Sequence, residues 1–211
     1  SKNEFLVLRE IVLHPGCAQR KIVEATGLSL GSVNSAAKSL SAAGLIADGD
    51  PTEVGATALE PYRVENAIIL AAGLSSRFAP ISYEKPKGLL KVRGEVLIER
   101  QIDQLLAAGI TDITVVVGYK KEYFFYLEDK FGVSIVVNPD YASRNNSSSI
   151  KRVEDRLGNT YICSSDDYFT ENPFEPYVWK AYYAVEYAEG PTAEWCVQTG
   201  AHDRITGVTI G

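Results

Sequence analysis

A run of small residues followed by two cations is the feature of this sequence with the clearest chemical content. The run begins at Leu70, continues through Gly73 to Arg77, and is followed ten residues later by Lys87. Small side chains let backbone N–H groups approach a phosphate closely. Arg77 and Lys87 add a planar guanidinium and a point charge, which together suit a triphosphate. The candidate phosphate-binding residues are Leu70, Ala71, Ala72, Gly73, Ser75 and Ser76.

Two adjacent carboxylates, Asp166 and Asp167, follow a short apolar stretch, Tyr161-Ile162-Cys163. If that stretch is a strand of a parallel sheet, the carboxylates lie at the edge where such sheets bind their ligands. An acidic loop that caps the next helix explains the pair equally well from the residues alone.

Aromatic residues are dense late in the chain, from Tyr168 to Trp195. A quaternary ammonium group has no N–H to donate, so proteins hold it against aromatic ring faces by cation–π attraction. Packing explains most of these rings, among them Tyr177 and Trp179, without any ligand.

The elements that position these residues alternate between apolar strands and amphipathic helices from Asn66 onward. The predicted strands are Ala67–Leu70, Ile113–Val117, Ser134–Val137 and Tyr161–Cys163, with helices near 98–106 and 121–131. This alternation predicts an α/β fold, Rossmann-like, with a mostly parallel sheet and helices on both faces. The predicted domain covers residues 66–211, after a linker at 59–65.

Residues 1–60 have a different, helical texture. A helix from Phe5 to Val12 precedes a short helix at Gln19–Ala25, a turn at Gly27 and a longer helix capped by Ser29. A stretch at 45–51 then enters a turn and predicts a wing. The order is that of a helix-turn-helix, and the segment resembles the winged-helix domains of bacterial transcription regulators.

Composition narrows the class of protein. The 211 residues are 45% hydrophobic, which suffices for buried cores, and the net charge of −6 argues against a general polyanion binder. The three cysteines are far apart, so neither a disulfide framework nor a cysteine zinc site is expected. With no apolar run of about 20 residues and no signal-peptide pattern, we expect a cytoplasmic protein without a membrane partner.

Residues 67–78 and 85–90 resemble the signature of the nucleotidyltransferases that make nucleotide-diphospho-sugars and related activated alcohols. Within that superfamily the likeness is to the bacterial CTP:phosphocholine cytidylyltransferases, and it spans residues 66–211. It implies a Mg²⁺-dependent transfer of CMP from CTP to phosphocholine, with Arg77 and Lys87 as catalytic cations. Ser75 departs from the pattern, since relatives often have Gly there.

The resemblance also implies roles for further residues. It makes Asp166 the Mg²⁺ ligand and assigns base and ribose contacts to Asn145, Asn146 and Ser149, although an ordinary loop that caps a helix explains the latter three. It places Trp195, and as a second candidate Tyr168, in the choline pocket. Relatives use a second metal carboxylate, which we expect beyond Gly211, because the family's catalytic domain is longer than the 146 residues from Asn66.

Two alternatives remain open at this point. One is a sugar-1-phosphate nucleotidyltransferase, whose pocket would need polar groups that read hydroxyls. The other is a transcriptional regulator that senses a nucleotide and binds DNA through residues 1–60. Five basic and seven acidic residues give that segment a net charge of −2, whereas DNA-binding winged helices usually carry a basic face. An interaction or autoregulatory role therefore explains the segment about as well as DNA binding does.

Overall fold

The computed structural model describes residues 1–187 and 189–210 and, of Arg77, the backbone only. Residues 1–180 form one compact unit, and a second, smaller unit begins at Ala181. No helix in the described part of the chain is long and apolar enough to cross a membrane.

The first unit opens with the predicted helix-turn-helix and wing. Its elements are α1 (Lys2–Leu13), α2 (Gln19–Thr26), α3 (Leu30–Ala42), β1 (Ile46–Ala47), β2 (Asp50–Pro51) and α4 (Glu53–Thr57). Ser29 caps α3 by accepting a hydrogen bond from the Ser32 N–H. The wing turns through Asp48 and Gly49, both with positive φ, which suits a two-residue hairpin turn. The predicted winged helix is confirmed.

The unit continues with a parallel α/β layer. Its elements are β3 (Asn66–Ala71), β4 (Lys91–Val92), β5 (Glu95–Val96), α5 (Leu97–Ala107), β6 (Ile113–Val117), α6 (Tyr126–Phe131), β7 (Ser134–Val137), α7 (Asn146–Lys151) and β8 (Thr160–Ser164). Four strands form one sheet in the order β7-β6-β3-β8, and every neighbouring pair is parallel. The predicted fold class is confirmed.

Alternate side chains of β3 enter two separate cores. Ala67 and Ile69 face the larger core, where α5 contributes Ile98 and Ile102, all of them fully buried. Ile68 faces the opposite side and packs in a smaller cluster near Val153, which follows α7. Burial of both faces explains why the strand is a continuous apolar run.

The prediction of one helix over residues 121–131 is wrong for its first turn. Lys121–Phe124 is a 3₁₀ turn, and α6 itself begins at Tyr126. Lys120, which precedes the turn, has a left-handed backbone. Consecutive aromatic residues are poor helix formers, which favours the tighter turn where Phe124 inserts into the core.

The segment that follows β8 returns to the winged helix. The N–H of Val64 donates to the Pro176 carbonyl, and the N–H of Val178 donates to the Tyr62 carbonyl, each at 2.9 Å. Trp179 stacks on Tyr62 with ring centroids 5.3 Å apart. The predicted linker at 59–65 is therefore packed on both sides, and the winged helix and the sheet share one unit.

The second unit contains a two-stranded antiparallel hairpin. Its strands are β9 (Trp195–Thr199) and β10 (Ile205–Ile210). Most of its large apolar side chains are exposed, including Trp195 at 70% and Ile210 at 66%.

Candidate active site

A cavity of about 310 Å³ opens at the carboxyl ends of β3 and β8. Both strands end there because they run parallel, and this is the edge where open α/β sheets bind ligands. Eight of the predicted residues line it: Leu70, Ala71, Gly73, Ser75, Ser76, Lys87, Asn146 and Asp166. The structure thus brings together residues from four separate stretches of the sequence.

The loop after β3 forms one wall of the cavity. Ala72 is buried, and its carbonyl accepts a hydrogen bond from the Tyr119 N–H at 3.2 Å, so its contribution is to fix the loop. Ser75 has φ of 53°, a left-handed conformation that costs a residue with a side chain more than it costs Gly. The departure from Gly at this position therefore leaves the turn in place at a modest energetic cost.

Lys87 and Asp166 form an ion pair at the wall of the cavity. The Lys87 Nζ lies 2.7 Å from an oxygen of Asp166, and the two side chains are 32% and 34% exposed. Lys87 begins a 3₁₀ turn, Lys87–Leu89, that packs closely against the end of β8. A Cβ on Gly88 would lie 2.8 Å from the Ser165 side chain, so only glycine allows this approach.

The carboxylate of Asp166 suits a Mg²⁺ ligand only if substrate oxygens complete the coordination shell. Among the described residues there is no group of three His, Cys, Asp or Glu side chains that could hold a metal ion. Mg²⁺ commonly binds one or two protein carboxylates and completes its shell with water and substrate phosphates. Asp166, at the cavity wall beside Ser164 and Ser165, suits that second arrangement.

The predicted polar cluster near α7 is divided between the cavity and the scaffold. Asn146 lines the cavity, whereas Asn145 precedes α7 and is exposed. Ser149 is buried and accepts a hydrogen bond from the buried amide of Asn138 at 3.0 Å. That contact positions α7, and through it the N-terminal turn that carries Asn146.

The three remaining predicted residues are placed differently. The ring of Tyr168 lies 4.9 Å from the Arg100 guanidinium carbon, so a cation of the protein already contacts it. Trp195 begins β9 in the second unit and is 70% exposed there. The side chain of Arg77 lies outside the described residues.

Several lining residues were not among those predicted: Leu74, Pro86, Gly88, Phe124, Ser164 and Ser165. Ser164 and Ser165 directly precede Asp166, so the end of the strand was a usable signal for them. Phe124 carried none, because nothing local distinguishes it from other core aromatic residues.

The cavity offers no thiolate for nucleophilic catalysis from the adjacent strand. Burial, assisted by the charge of Asp167, raises the pKa of the Cys163 thiol to about 12. A thiol with that pKa stays protonated at neutral pH. The arrangement of cation, carboxylate and small-residue loop instead suits electrostatic stabilisation of phosphate groups.

Comparison with known proteins finds similar families and relatives. Residues 67–170 match the MobA-like NTP transferase domain, and residues 1–52 match the MarR family. The chain is 40% identical over 144 residues to the choline-phosphate cytidylyltransferase of Streptococcus pneumoniae, covering 68% of this chain and 63% of that protein. It is 42% identical over 150 residues to the 2-aminoethylphosphonate cytidylyltransferase of Lancefieldella rimae, covering 69% and 61%.

A solved structure of CTP:phosphocholine cytidylyltransferase from Streptococcus pneumoniae aligns with a TM-score of 0.67 at 40% identity. The alignment covers 70% of this chain and 64% of that one. The chain therefore spans less than two thirds of the length of these relatives. The similarity is therefore that of a MobA-like NTP transferase domain at residues 67–170, preceded by a MarR-type winged helix.

Proposed function

We propose that the protein transfers CMP from CTP to phosphocholine or a similar phosphorylated alcohol and releases pyrophosphate. The observation that carries the proposal is the Lys87–Asp166 pair facing the small-residue loop at the carboxyl edge of the sheet. Two cytidylyltransferases among the relatives, one named for choline phosphate and one for 2-aminoethylphosphonate, support the nucleotide, and the first of them supports the acceptor class.

The reaction is an in-line displacement at the α-phosphorus of CTP. A phosphate oxygen of the acceptor forms the new P–O bond, the bond to the β-phosphate bridge breaks, and pyrophosphate leaves with the electron pair. The acceptor phosphate is already an anion, so no general base is required. The work of the protein is therefore to align the two substrates and to stabilise charge.

Several residues at the cavity would share that work. Backbone N–H groups of the loop from Gly73 to Ser76 would approach the triphosphate, and Lys87 would offset charge on the leaving pyrophosphate. Arg77 is proposed as a second cation from its sequence position. Mg²⁺, held by Asp166 together with triphosphate oxygens, would supply further neutralisation of charge.

Base recognition is proposed for Asn146 with Asn145. An amide side chain both donates and accepts, which matches the Watson–Crick edge of cytosine. Ser149, predicted together with them, would support this recognition by holding α7 through its hydrogen bond with Asn138.

The test is a pyrophosphate-release assay on the protein at its natural full length. All four NTPs are crossed with phosphocholine, phosphoethanolamine, 2-aminoethylphosphonate and several sugar 1-phosphates. We expect CTP with phosphocholine to give the highest kcat/KM. A preference for a sugar 1-phosphate would replace the proposal with the sugar-nucleotide alternative, and absence of any pyrophosphate release would refute the transferase assignment.

The acceptor is tested further at Trp195, proposed as part of a cation–π wall for the trimethylammonium group. Trp195→Ala should lower kcat/KM for phosphocholine by about 2- to 30-fold, which corresponds to roughly 0.5–2 kcal/mol. The KM for CTP should change much less, and phosphoethanolamine should be the poorer acceptor in the unmodified protein. If Trp195→Ala weakened the use of CTP and of phosphocholine equally, Trp195 would not be part of the acceptor site.

DNA binding by the winged helix is a second candidate. In favour of it, Ser35 and Lys38 are exposed on α3, the second helix of the helix-turn-helix, although the winged helix packs in one unit with the sheet. Against it, residues 1–60 carry a net charge of −2, and most DNA affinity comes from neutralised phosphates. Fluorescence anisotropy with random and genomic DNA duplexes at low salt would test whether the winged helix binds DNA. The negative charge predicts weak binding.

A further inference from the structure

Three polar side chains of α5 contact the same loop. Arg100, Gln101 and Gln104 are neighbours on the helix because residues three and four apart share a face. Gln101 and Gln104 are buried, at 1% and 9% exposure, on a helix whose other inward residues are apolar. A buried amide costs free energy unless it is hydrogen-bonded, and the partners of each Nε2 offset part of that cost, while the two Oε1 atoms have none among the described residues.

The partners are backbone carbonyls on both sides of Asp166. Before it, the Gln101 Nε2 donates to the carbonyl of Ser164 at 3.1 Å. After it, the Arg100 Nε and Nη2 donate to Phe169 and Thr170, each at 2.9 Å. The Gln104 Nε2 donates to Phe169 and Glu171 at 3.2 and 3.1 Å. Together these donors hold four carbonyls from one helix face.

The stretch between the two anchored ends, residues 165–168, carries the chemistry. It contains Asp166, which meets Lys87 at 2.7 Å, and Ser165, which packs against Gly88. Tyr168 lies under the Arg100 guanidinium, so the same side chain holds the loop by a cation contact as well. The direction of the Asp166 carboxylate thus depends on where α5 holds the loop.

We propose that Arg100, Gln101 and Gln104 are positioning residues that fix Asp166 opposite Lys87 for use with the metal-bound triphosphate. The inference rests on the proposed function for its catalytic consequence. Its structural consequence does not: loosening the contacts of these three side chains should free residues 165–171 and leave the loop after β3 unchanged.

Two variants remove these hydrogen bonds while keeping either the charge or the volume of the side chain. Arg100→Lys keeps the positive charge that faces Glu95 but loses the planar fork that reaches two carbonyls. Gln101→Met keeps the side-chain volume and loses the donor. Asp103→Asn, at an exposed position of the same helix, is the matched control.

The first measurement is hydrogen exchange in the ligand-free protein. Each variant should speed exchange in peptides covering 165–171 by about tenfold, the equivalent of one lost hydrogen bond to a charged or buried partner. Exchange at 70–76 and in the control variant should match the unmodified protein. Unchanged exchange at 165–171 would overturn the inference, whatever reaction the protein catalyses.

The second measurement is calorimetric titration with CTP, in Mg²⁺ and in EDTA, followed by turnover. The variants should weaken CTP binding several-fold in Mg²⁺ but not in EDTA, and should lower kcat more than they raise KM for CTP. Equal weakening in both buffers, or unchanged kcat with faster exchange, would overturn the positioning role. If the unmodified protein binds no CTP, the proposed function fails, while the exchange result still judges the contacts of α5.

Discussion

At the scale of single residues, the ion pair between Lys87 and Asp166 joins positions 79 residues apart in the chain. Each side chain is about one third exposed, so water screens the attraction and the pair adds only roughly 0–1 kcal/mol to stability. Its importance lies in placing a fixed cation and a carboxylate at one wall of the cavity. When a triphosphate binds, the cation can transfer its contact from Asp166 to a phosphate oxygen.

Lys87→Ala should therefore leave folding intact and remove most of the activity. We expect the midpoint of thermal unfolding to change little and nucleotidyl transfer to fall by about 10²- to 10³-fold, the effect of losing one fixed charge-stabilising group. Lys85→Ala removes an exposed lysine from the same segment and is the control, with near-normal turnover. Near-normal turnover in Lys87→Ala would show that the lysine is not in the catalytic site.

How far the site could be predicted at this scale depends on what the sequence displays locally. Lys87 and Asp166 follow the recognisable loop and strand, so their types and positions were visible. The need for glycine at Gly88 was not, because it arises from Ser165, which is distant in sequence. The buried amides of Gln101 and Gln104 were visible as polar residues on an apolar helix face, but their partners were not.

At the scale of elements, the strands were predictable and the short turns between them were not. β3 and β6 are apolar runs buried on both faces, and burial on both faces leaves a strong mark on sequence. The 3₁₀ turns at Lys87–Leu89 and Lys121–Phe124 each span three or four residues, too few for a periodic pattern. Their conformation follows from tertiary contacts, such as the insertion of Phe124 into the core.

The segment that joins β8 to the winged helix contains a carboxylate with a perturbed pKa. Burial raises the pKa of Glu175 above its ordinary value of 4.5; Arg9 opposes this effect and Glu10 adds to it. The Arg9 guanidinium lies 3.0 Å from Glu175 and 2.9 Å from Glu10. Two carboxylates thus share one guanidinium at this contact between the winged helix and the segment after β8.

The sign of the resulting pH dependence can be measured. Because folded Glu175 binds its proton more tightly than the unfolded chain does, its contribution to the free energy of unfolding increases as pH falls through its raised pKa toward 4.5. Urea unfolding between pH 7 and 4.5 should therefore show unmodified protein gaining stability relative to Glu175→Gln. A constant or opposite difference would contradict the raised pKa.

Glu60→Gln is a control for that experiment with the opposite sign. A hydrogen bond from Arg63 lowers the pKa of Glu60. Its contribution is therefore present above 4.5 and is lost only as pH falls below that value, through the folded pKa. The difference between unmodified protein and Glu60→Gln should stay constant from pH 7 to about 5 and shrink at lower pH.

At the scale of the whole first unit, the winged helix is joined to the sheet by more than its linker. Trp179 lies 5.4 Å from Phe5 of α1 and 5.3 Å from Tyr62, measured between ring centroids. Tyr177 is buried in the winged-helix core, and its hydroxyl accepts a hydrogen bond from Arg63. The change of texture near residue 60 was visible in the sequence. The return of residues 174–180 was not, because it pairs segments more than 100 residues apart.

This shared core predicts that the winged helix and the sheet unfold together. The chain has two tryptophans, so in a Trp195→Phe background the fluorescence of Trp179 reports on their contact alone. Its denaturant midpoint should coincide with that of far-UV circular dichroism, the usual test of a cooperative transition.

Trp179→Ala should lower the free energy of unfolding by about 2 kcal/mol, less than for a fully buried Trp. Trp195→Phe, at a position that is 70% exposed, should change it by less than about 0.5 kcal/mol. If Trp179 fluorescence changes at a lower denaturant concentration, with a plateau before the dichroism follows, the winged helix and the sheet are independent and the packing of residues 174–180 does not couple them.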